Sequence, residues 1–393
     1  MYRRELPREP LLTPPFLRLC AFNFVTFLTA FQLFPTIPFR IIALGGTKAQ
    51  AGLFLAIYTY ACAFAAPITG TLADHIGRRR LLMFAASAFV VFSCLYGLIT
   101  WLPLLLLAAC IHGIFWSAIL ASSAAITTEL IPDSRRTEGM AWWGMASTAA
   151  VAVAPLIGLT LYRIGWEALC VEMALLSLLM IFMATRVQGG STDPHRSFPH
   201  LRDIIDWRVM TTALTLFVVS FSYGGITSYV ALLSMERHVE PRSLFFTVFA
   251  VTILISRIFT APIGDRFSPR MLLFPSLLLV PVALLAIAVA DSRGEIVLAA
   301  ILFGVGFGGA YPAFVTFVLG RTDPQRRGAT FGSILWAFDT GIGTGSLVTG
   351  VLAQQAGFTV AFRVAAVLSA IAIPLFLLTS RLLGSEAHAS GST

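Results

Sequence analysis

The stretch Gly70–Arg80, GTLADHIGRRR, decides how the rest of the chain is read. It is short, arginine-rich and turn-forming, and it separates two long apolar runs. A shorter echo, APIGDRFSPR, runs from Ala261 to Arg270. Asp74 in the first and Asp265 in the second stand 191 positions apart; so do Arg136 and Arg327, in the similar loops PDSRR and PQRR. One offset relating two pairs of loops is the mark of a duplicated half-chain. In a membrane protein, duplicated halves point to a transporter.

The composition places the chain in a bilayer. Its 393 residues are 57% hydrophobic and 12% charged, with a mean hydropathy of +0.84. That is too little charge to clothe a soluble domain of this length, and long apolar segments with short polar breaks read as a polytopic membrane protein. Met1 to Arg18 is basic and proline-containing and leads into an apolar run of full span length, so no cleavable signal is expected. The formal net charge of +8 comes almost wholly from arginine, with Lys48 the single lysine. Set in loops, this surplus reads as membrane topology, not nucleic-acid binding. Cys20, Cys62, Cys94, Cys110 and Cys170 all fall inside apolar runs without metal-ligand spacing and read as small packing residues. The chain has no phosphate-cradling G-x-x-x-x-G-K-[ST] and no H-E-x-x-H, so it is not expected to be an enzyme or to need a metal or cofactor.

Spans of about 20 apolar residues fall at 16–39, 50–70, 80–100, 103–128, 138–161 and 167–186, then at 208–233, 244–264, 271–290, 295–319, 329–353 and 358–380. The expected fold is all-α, with twelve transmembrane helices in two pseudo-symmetric six-helix bundles, residues 1–186 and 207–381. Residues 187–206 form a cytoplasmic linker and 382–393 a disordered tail. With both termini cytoplasmic, most of the basic residues, including Arg78, Arg79, Arg80, Arg135, Arg136, Arg270, Arg326 and Arg327, fall on the cytoplasmic side. Arg40, Lys48, Arg163, Arg237, Arg242, Arg293 and Arg363 fall on the other. This asymmetry orients the chain in a cell (inner) membrane.

The pattern G-x-L-A-D-x-x-G-R-R-R resembles the loop between the second and third transmembrane helices of the major facilitator superfamily. The resemblance extends from about Phe16 to Arg381 and implies alternating access by two rocking bundles. It implies a latch in which Gly70 and Gly77 allow close packing and a turn, Asp74 contacts the start of span eleven, and Arg78 pairs with an acid such as Glu129. In the second copy Asp265 would contact the start of span five, beside Arg266. Ser268 and Pro269 depart from the pattern there. Span five carries AVAVAPLIG, which resembles the antiporter signature of the exporter branch through Pro155 and Gly158, with alanine where glycine precedes the proline. Small residues permit close helix approach and Pro155 can kink the helix.

Polar groups at bilayer depth are costly and each needs a reason. Asp339 lies about ten residues into span eleven, roughly 15 Å from its cytoplasmic end, among Gly341, Gly343 and Gly345. Arg257 lies at a comparable depth in span eight. Three readings of Asp339 stand: a proton carrier, a structural ion pair with Arg257, or a direct substrate contact. His112 in span four is either a titrating group or a neutral hydrogen-bonded residue; Ala109 stands where superfamily antiporters often carry arginine. Glu167 and Glu172, near the start of span six, read as interfacial. Asn23, Gln32, Tyr58, His112, Trp116, Tyr223, Arg257, Tyr311 and Trp336 fall on spans expected to line a substrate cavity.

The resemblance is nearest to the arabinose-efflux-permease-like and multidrug exporters, a group that includes metallophore exporters. The expected function is a monomeric, proton-coupled antiporter that exports small amphipathic molecules and has the lipid bilayer, protons and substrate as partners. Two alternatives are an uptake symporter for a sugar, organic acid or other nutrient, and a non-transporting sensor or lipid-handling protein on the same scaffold.

Overall fold

The protein is represented by a computed structural model that describes residues 10–187, 207–264, 268–322 and 327–382. At positions 133, 137, 207–208, 257–264, 269, 327–329, 331 and 381–382 it describes the backbone alone. The described residues form twelve helices and no strand: α1 (Pro14–Ala43), α2 (Lys48–Ile76), α3 (Arg78–Leu98), α4 (Leu102–Leu130), α5 (Arg136–Ile164), α6 (Trp166–Thr185), α7 (Trp207–Glu236), α8 (Leu244–Gly264), α9 (Pro269–Val289), α10 (Arg293–Leu319), α11 (Arg327–Ala370) and α12 (Ala372–Leu382). A short 3-10 turn, Asp133–Arg135, precedes α5. Helix satisfies every backbone donor and acceptor within the segment, which a hydrocarbon surrounding demands.

Ten stretches among the described residues are long and apolar enough to cross a membrane, and Leu244–Ser256 is a shorter apolar helix. The last of the ten, Gly332–Ser380, is 49 residues long. Expected spans eleven and twelve are thus joined without a loop, and the chain reverses inside α11 at Gly357 (φ 80°, ψ 166°). Gln354 and Thr359 on either side of it both meet partners at one end of the bundle, Lys48 and Arg237. Ile334 and Phe376 share a buried cluster at the other end. The positive φ is the conformation glycine adopts without a Cβ penalty.

The duplication is legible in where helices begin. Arg78 and Pro269 open α3 and α9, Leu102 and Arg293 open α4 and α10, and Arg136 and Arg327 open α5 and α11; each pair is 191 positions apart. Packing repeats as well. In the first half α2 lies on α4 and α3 on α6; in the second α8 lies on α10 and α9 on α11. The halves meet where α1 touches α7, α5 touches α8 and, most extensively, α2 runs along α11.

The linker expected at 187–206 lies outside the described residues except for Val187, and the tail except for Leu382. Asp265 and Arg266 also lie outside them.

Candidate functional site at the seam between the halves

Small residues bring α2 and α11 together. A Cβ on Gly52 would fall 2.3 Å from the Ser346 carbonyl oxygen, and one on Gly343 would fall 2.4 Å from Thr59 Oγ1. At Gly350 it would fall 2.1 Å from the Tyr229 hydroxyl. Backbones can approach this closely only where the side chain is a hydrogen. The contact reads as an antiparallel zipper. The Lys48 amide donates to Gln354 Oε1 at 3.1 Å, Tyr60 Oη lies 2.7 Å from Thr344 Oγ1, and Cys62 Sγ donates to Asp339 Oδ2 at 3.5 Å. Phe64 then meets Trp336 edge to face at 5.9 Å. Asp339 therefore sits on the seam, on the second half but bonded to the first. Arg257 is carried by α8, and its side chain lies outside the described residues.

The seam is closed at the end away from the chain termini. Lys48 at the start of α2 pairs with Glu236 at the end of α7. The Lys48 ammonium also lies 4.1 Å from the centre of the Phe358 ring, and the Tyr229 hydroxyl donates to the Lys48 carbonyl at 2.7 Å. Nearby, Arg163 Nη2 at the end of α5 donates to Glu240 Oε2 at 2.5 Å, and Arg242 Nε donates to Glu240 Oε1 at 3.2 Å. The Lys48–Glu236 and Arg163–Glu240 pairs join one half to the other. Reading the sequence placed Lys48, Arg163 and Arg242 on one membrane face but gave no gate there. The available signal was that Lys48 and Arg163 sit at helix ends in the first half, with Glu236 and Glu240 in the second.

At the other end, Asp74 is bonded by Arg78 Nη2 at 2.9 Å and Nε at 3.1 Å, and Arg78 also pairs with Glu129. Gly77 (φ 96°) makes the turn from α2 to α3, whereas a Cβ at Gly70 would meet nothing within 4 Å. The expected Asp74 contact with the start of α11 would reach side chains outside the described residues.

Of the aromatic residues expected in the cavity, all but Trp336 fall in two clusters, one in each half. In the first half His112 is fully buried, stacked on Phe92 at 4.9 Å and edge-on to Phe89 at 4.3 Å and Tyr58 at 5.1 Å. Tyr96 Oη lies 3.0 Å from its Nδ1, while His112 Nε2 and Tyr58 Oη are buried without hydrogen-bond partners among the described residues. Trp116 packs on Phe27 at 5.0 Å. In the second half Tyr223 stacks on Phe307 at 4.6 Å and Tyr311 meets Phe338 at 5.0 Å. The offset of 191 carries Tyr58, His112 and Trp116 onto Phe249, Phe303 and Phe307. At these three positions the first half carries a hydroxyl, an imidazole and an indole, and the second half three phenyl rings.

Two further polar residues are used within the first half. Asn23 Nδ2 donates to the Trp143 carbonyl at 3.0 Å. Gln32 Nε2 donates to Glu172 Oε2 at 2.5 Å, so Glu172, read from sequence as interfacial, is partly buried between α6 and α1. Gly158 brings α5 onto α1 here: a Cβ would lie 2.6 Å from the Gln32 carbonyl oxygen. Pro155 lies inside α5 one turn earlier. Among the described residues no group of three or more His, Cys, Asp or Glu could hold a metal.

The sequence profile of the Major Facilitator Superfamily matches residues 19–245 and 212–391. The chain is 21% identical to the staphylopine export protein of Staphylococcus aureus (strain Mu50), over 88% of this chain and 90% of that one. It is 23% identical to the multidrug resistance protein MdtG of Dickeya zeae (strain Ech586), over 80% and 81%. A solved POT family transporter in complex with 5-aminolevulinic acid shares the fold, with a TM-score of 0.78 at 13% identity over 94% of this chain and 96% of that one. With its duplicated halves, its closed helical seam and this profile along nearly all its length, the chain is a membrane transporter that belongs to the Major Facilitator Superfamily.

Proposed function

We propose that the protein is a proton-coupled exporter of small amphipathic molecules, with twelve crossings and both termini on the cytoplasmic side. The observation that carries this reading is Asp339, a carboxylate on the seam where the two halves must part. A group whose partner belongs to the other half changes its surroundings each time the halves rock, and so can take up a proton in one state and release it in the other. The export direction is supported by the names of two relatives, one a staphylopine export protein and one a multidrug resistance protein.

The cycle follows from which contacts are made at each end. In the described state the Lys48–Glu236 and Arg163–Glu240 pairs seal the end away from the termini. Substrate enters from the termini side, against the seam-facing residues Trp336, Tyr60 and Asp339. Opening the far end breaks both ion pairs, separates Cys62 from Asp339 and brings Asp74 against the start of α11. Asp339 then meets the outer solution and accepts a proton as substrate leaves. An Asp339–Arg257 pair in one of the two states would let the carboxylate stay charged there. His112, enclosed by aromatic rings, acts in this reading as a core residue.

The test is reconstitution. A compound selected by thermal stabilisation of the purified protein is loaded into liposomes, and a pH gradient is imposed. Export requires opposite movement of compound and protons; movement of both in the same direction favours the uptake symporter, and binding without flux favours the sensor.

A further inference from the structure

Outside the seam, a groove of about 480 Å³ opens between the start of α9 and the end of α12. Met271, Phe274, Pro275, Phe376 and Leu377 line it, with Arg270 and Ser380 at its rim. Arg270 Nη2 donates to the Ser380 carbonyl at 3.2 Å, and its guanidinium lies 5.2 Å from the centre of the Phe317 ring. Arg321, just beyond α10, lies 3.9 Å from that ring and donates to the Phe317 carbonyl at 3.0 Å. Two cations thus share one phenyl ring, and among the described residues neither is paired with a carboxylate. Burial, and then the charge of Arg270, pull the Arg321 pKa below the usual arginine value. Like charges held together this way favour an anion placed between them.

The position selects the anion. Pro269 opens α9, Leu319 ends α10 and Leu382 ends α12, so the arginines stand at the level where three apolar helices leave the hydrocarbon, with the groove extending inward from them. The duplication did not require the pair. Arg79, the counterpart of Arg270, reaches the Thr185 carbonyl at 2.6 Å in the same way, but Ile126 and Leu130 stand where Phe317 and Arg321 are in the second half.

We propose that this groove binds an anionic phospholipid, with its phosphate between Arg270 and Arg321 and an acyl chain against Met271, Phe274, Phe376 and Leu377. The site is separate from the seam and stands whether or not the exporter reading does.

Native mass spectrometry of the full-length protein in detergent, titrated with phosphatidylglycerol or phosphatidylcholine, reads the preference directly. The parent should retain phosphatidylglycerol over phosphatidylcholine by about 25-fold, and the double variant Arg270→Gln/Arg321→Gln should lose most of that preference, at about fivefold per arginine. Arg270→Lys/Arg321→Lys should keep a reduced preference, which separates charge loss from misfolding. Met271→Trp should weaken retention by filling the groove. Arg135→Gln, at an arginine already paired with Glu138, should change nothing. Equal retention of the two lipids, or a glutamine variant of normal elution that keeps the preference, overturns the proposal. Displacement of the lipid by millimolar inorganic phosphate, with Met271→Trp without effect, also overturns it, because the site would then hold a free anion and no lipid.

Discussion

Cys62 on α2 and Asp339 on α11 are bonded at 3.5 Å, thiol to carboxylate, across the boundary between two halves whose helix starts repeat at an offset of 191 positions. Neither half can move relative to the other without stretching this contact. It lies midway along the zipper, between the glycine-tight stretch from Gly52 to Gly343 and the looser aromatic contact of Phe64 with Trp336. Phe64 is 64% exposed whereas Cys62 is 3% exposed, so the close packing of the seam ends just past the carboxylate.

Widening the tight stretch should expose the thiol. Gly52→Val sets methyl groups against the Ser346 carbonyl, an overpacking worth about 1–3 kcal/mol. The two halves can relieve it by rocking apart at the far end. Cys62, 3% exposed in the parent, should then react with a small maleimide at least about tenfold faster. An unchanged rate in a well-folded Gly52→Val protein would mean the glycines serve static packing alone.

The far-end ion pairs should be exchangeable. Arg163 and Glu240 are each about half exposed, and such a pair contributes up to about 1 kcal/mol. Arg163→Glu should therefore shift the population towards the far-end-open state by a few-fold, and adding Glu240→Arg should restore it. Spin labels across α5 and α8 would report the distances; failure of the double reversal to restore them would remove the gating role.

The latch at the termini end predicts the opposite bias. Asp74→Ala frees Arg78 from α2 while leaving its pair with Glu129. Transport should fall, with expression largely intact, because in this account Asp74 meets the start of α11 in one state only. Normal transport with an unchanged conformational equilibrium would reduce the loop to a topology signal.

Much of this architecture was legible in the sequence because the bilayer imposes simple rules: span length, arginine in loops, and glycine where helices touch. The offset between Asp74 and Asp265 located the halves, and helix starts at Arg78, Leu102 and Arg136 repeat at it. What sequence could not supply was direction around each helix. Gln32 and Glu172 are 140 positions apart and meet only because α6 presents one face to α1. Lys48 and Glu236 are likewise joined by how the halves pack, which no local spacing encodes. His112 was visible as a polar group in an apolar span, but its enclosure by Tyr58, Phe89, Phe92 and Tyr96 was not.

That enclosure gives a further expectation. The second half places Phe303 where the first has His112, in the same kind of cluster, so the scaffold accepts phenylalanine there. His112→Phe should fold, and with Asp339 carrying the proton it should transport within about twofold of the parent, a loss under 1 kcal/mol. Loss of proton coupling in this variant, with binding retained, would move the proton site from the seam to the aromatic cluster.

The central claim is that Asp339 carries the coupled proton, and proton flux in liposomes tests it most directly. The parent and Asp339→Asn are reconstituted side by side with the compound chosen by thermal stabilisation. An imposed pH gradient is followed with an internal pH dye while the compound is assayed on both sides. The account predicts that Asp339→Asn still binds and exchanges the compound but moves no protons with it and accumulates none against a gradient. Gradient-driven accumulation by Asp339→Asn equal to that of the parent, with the same proton flux, would contradict it.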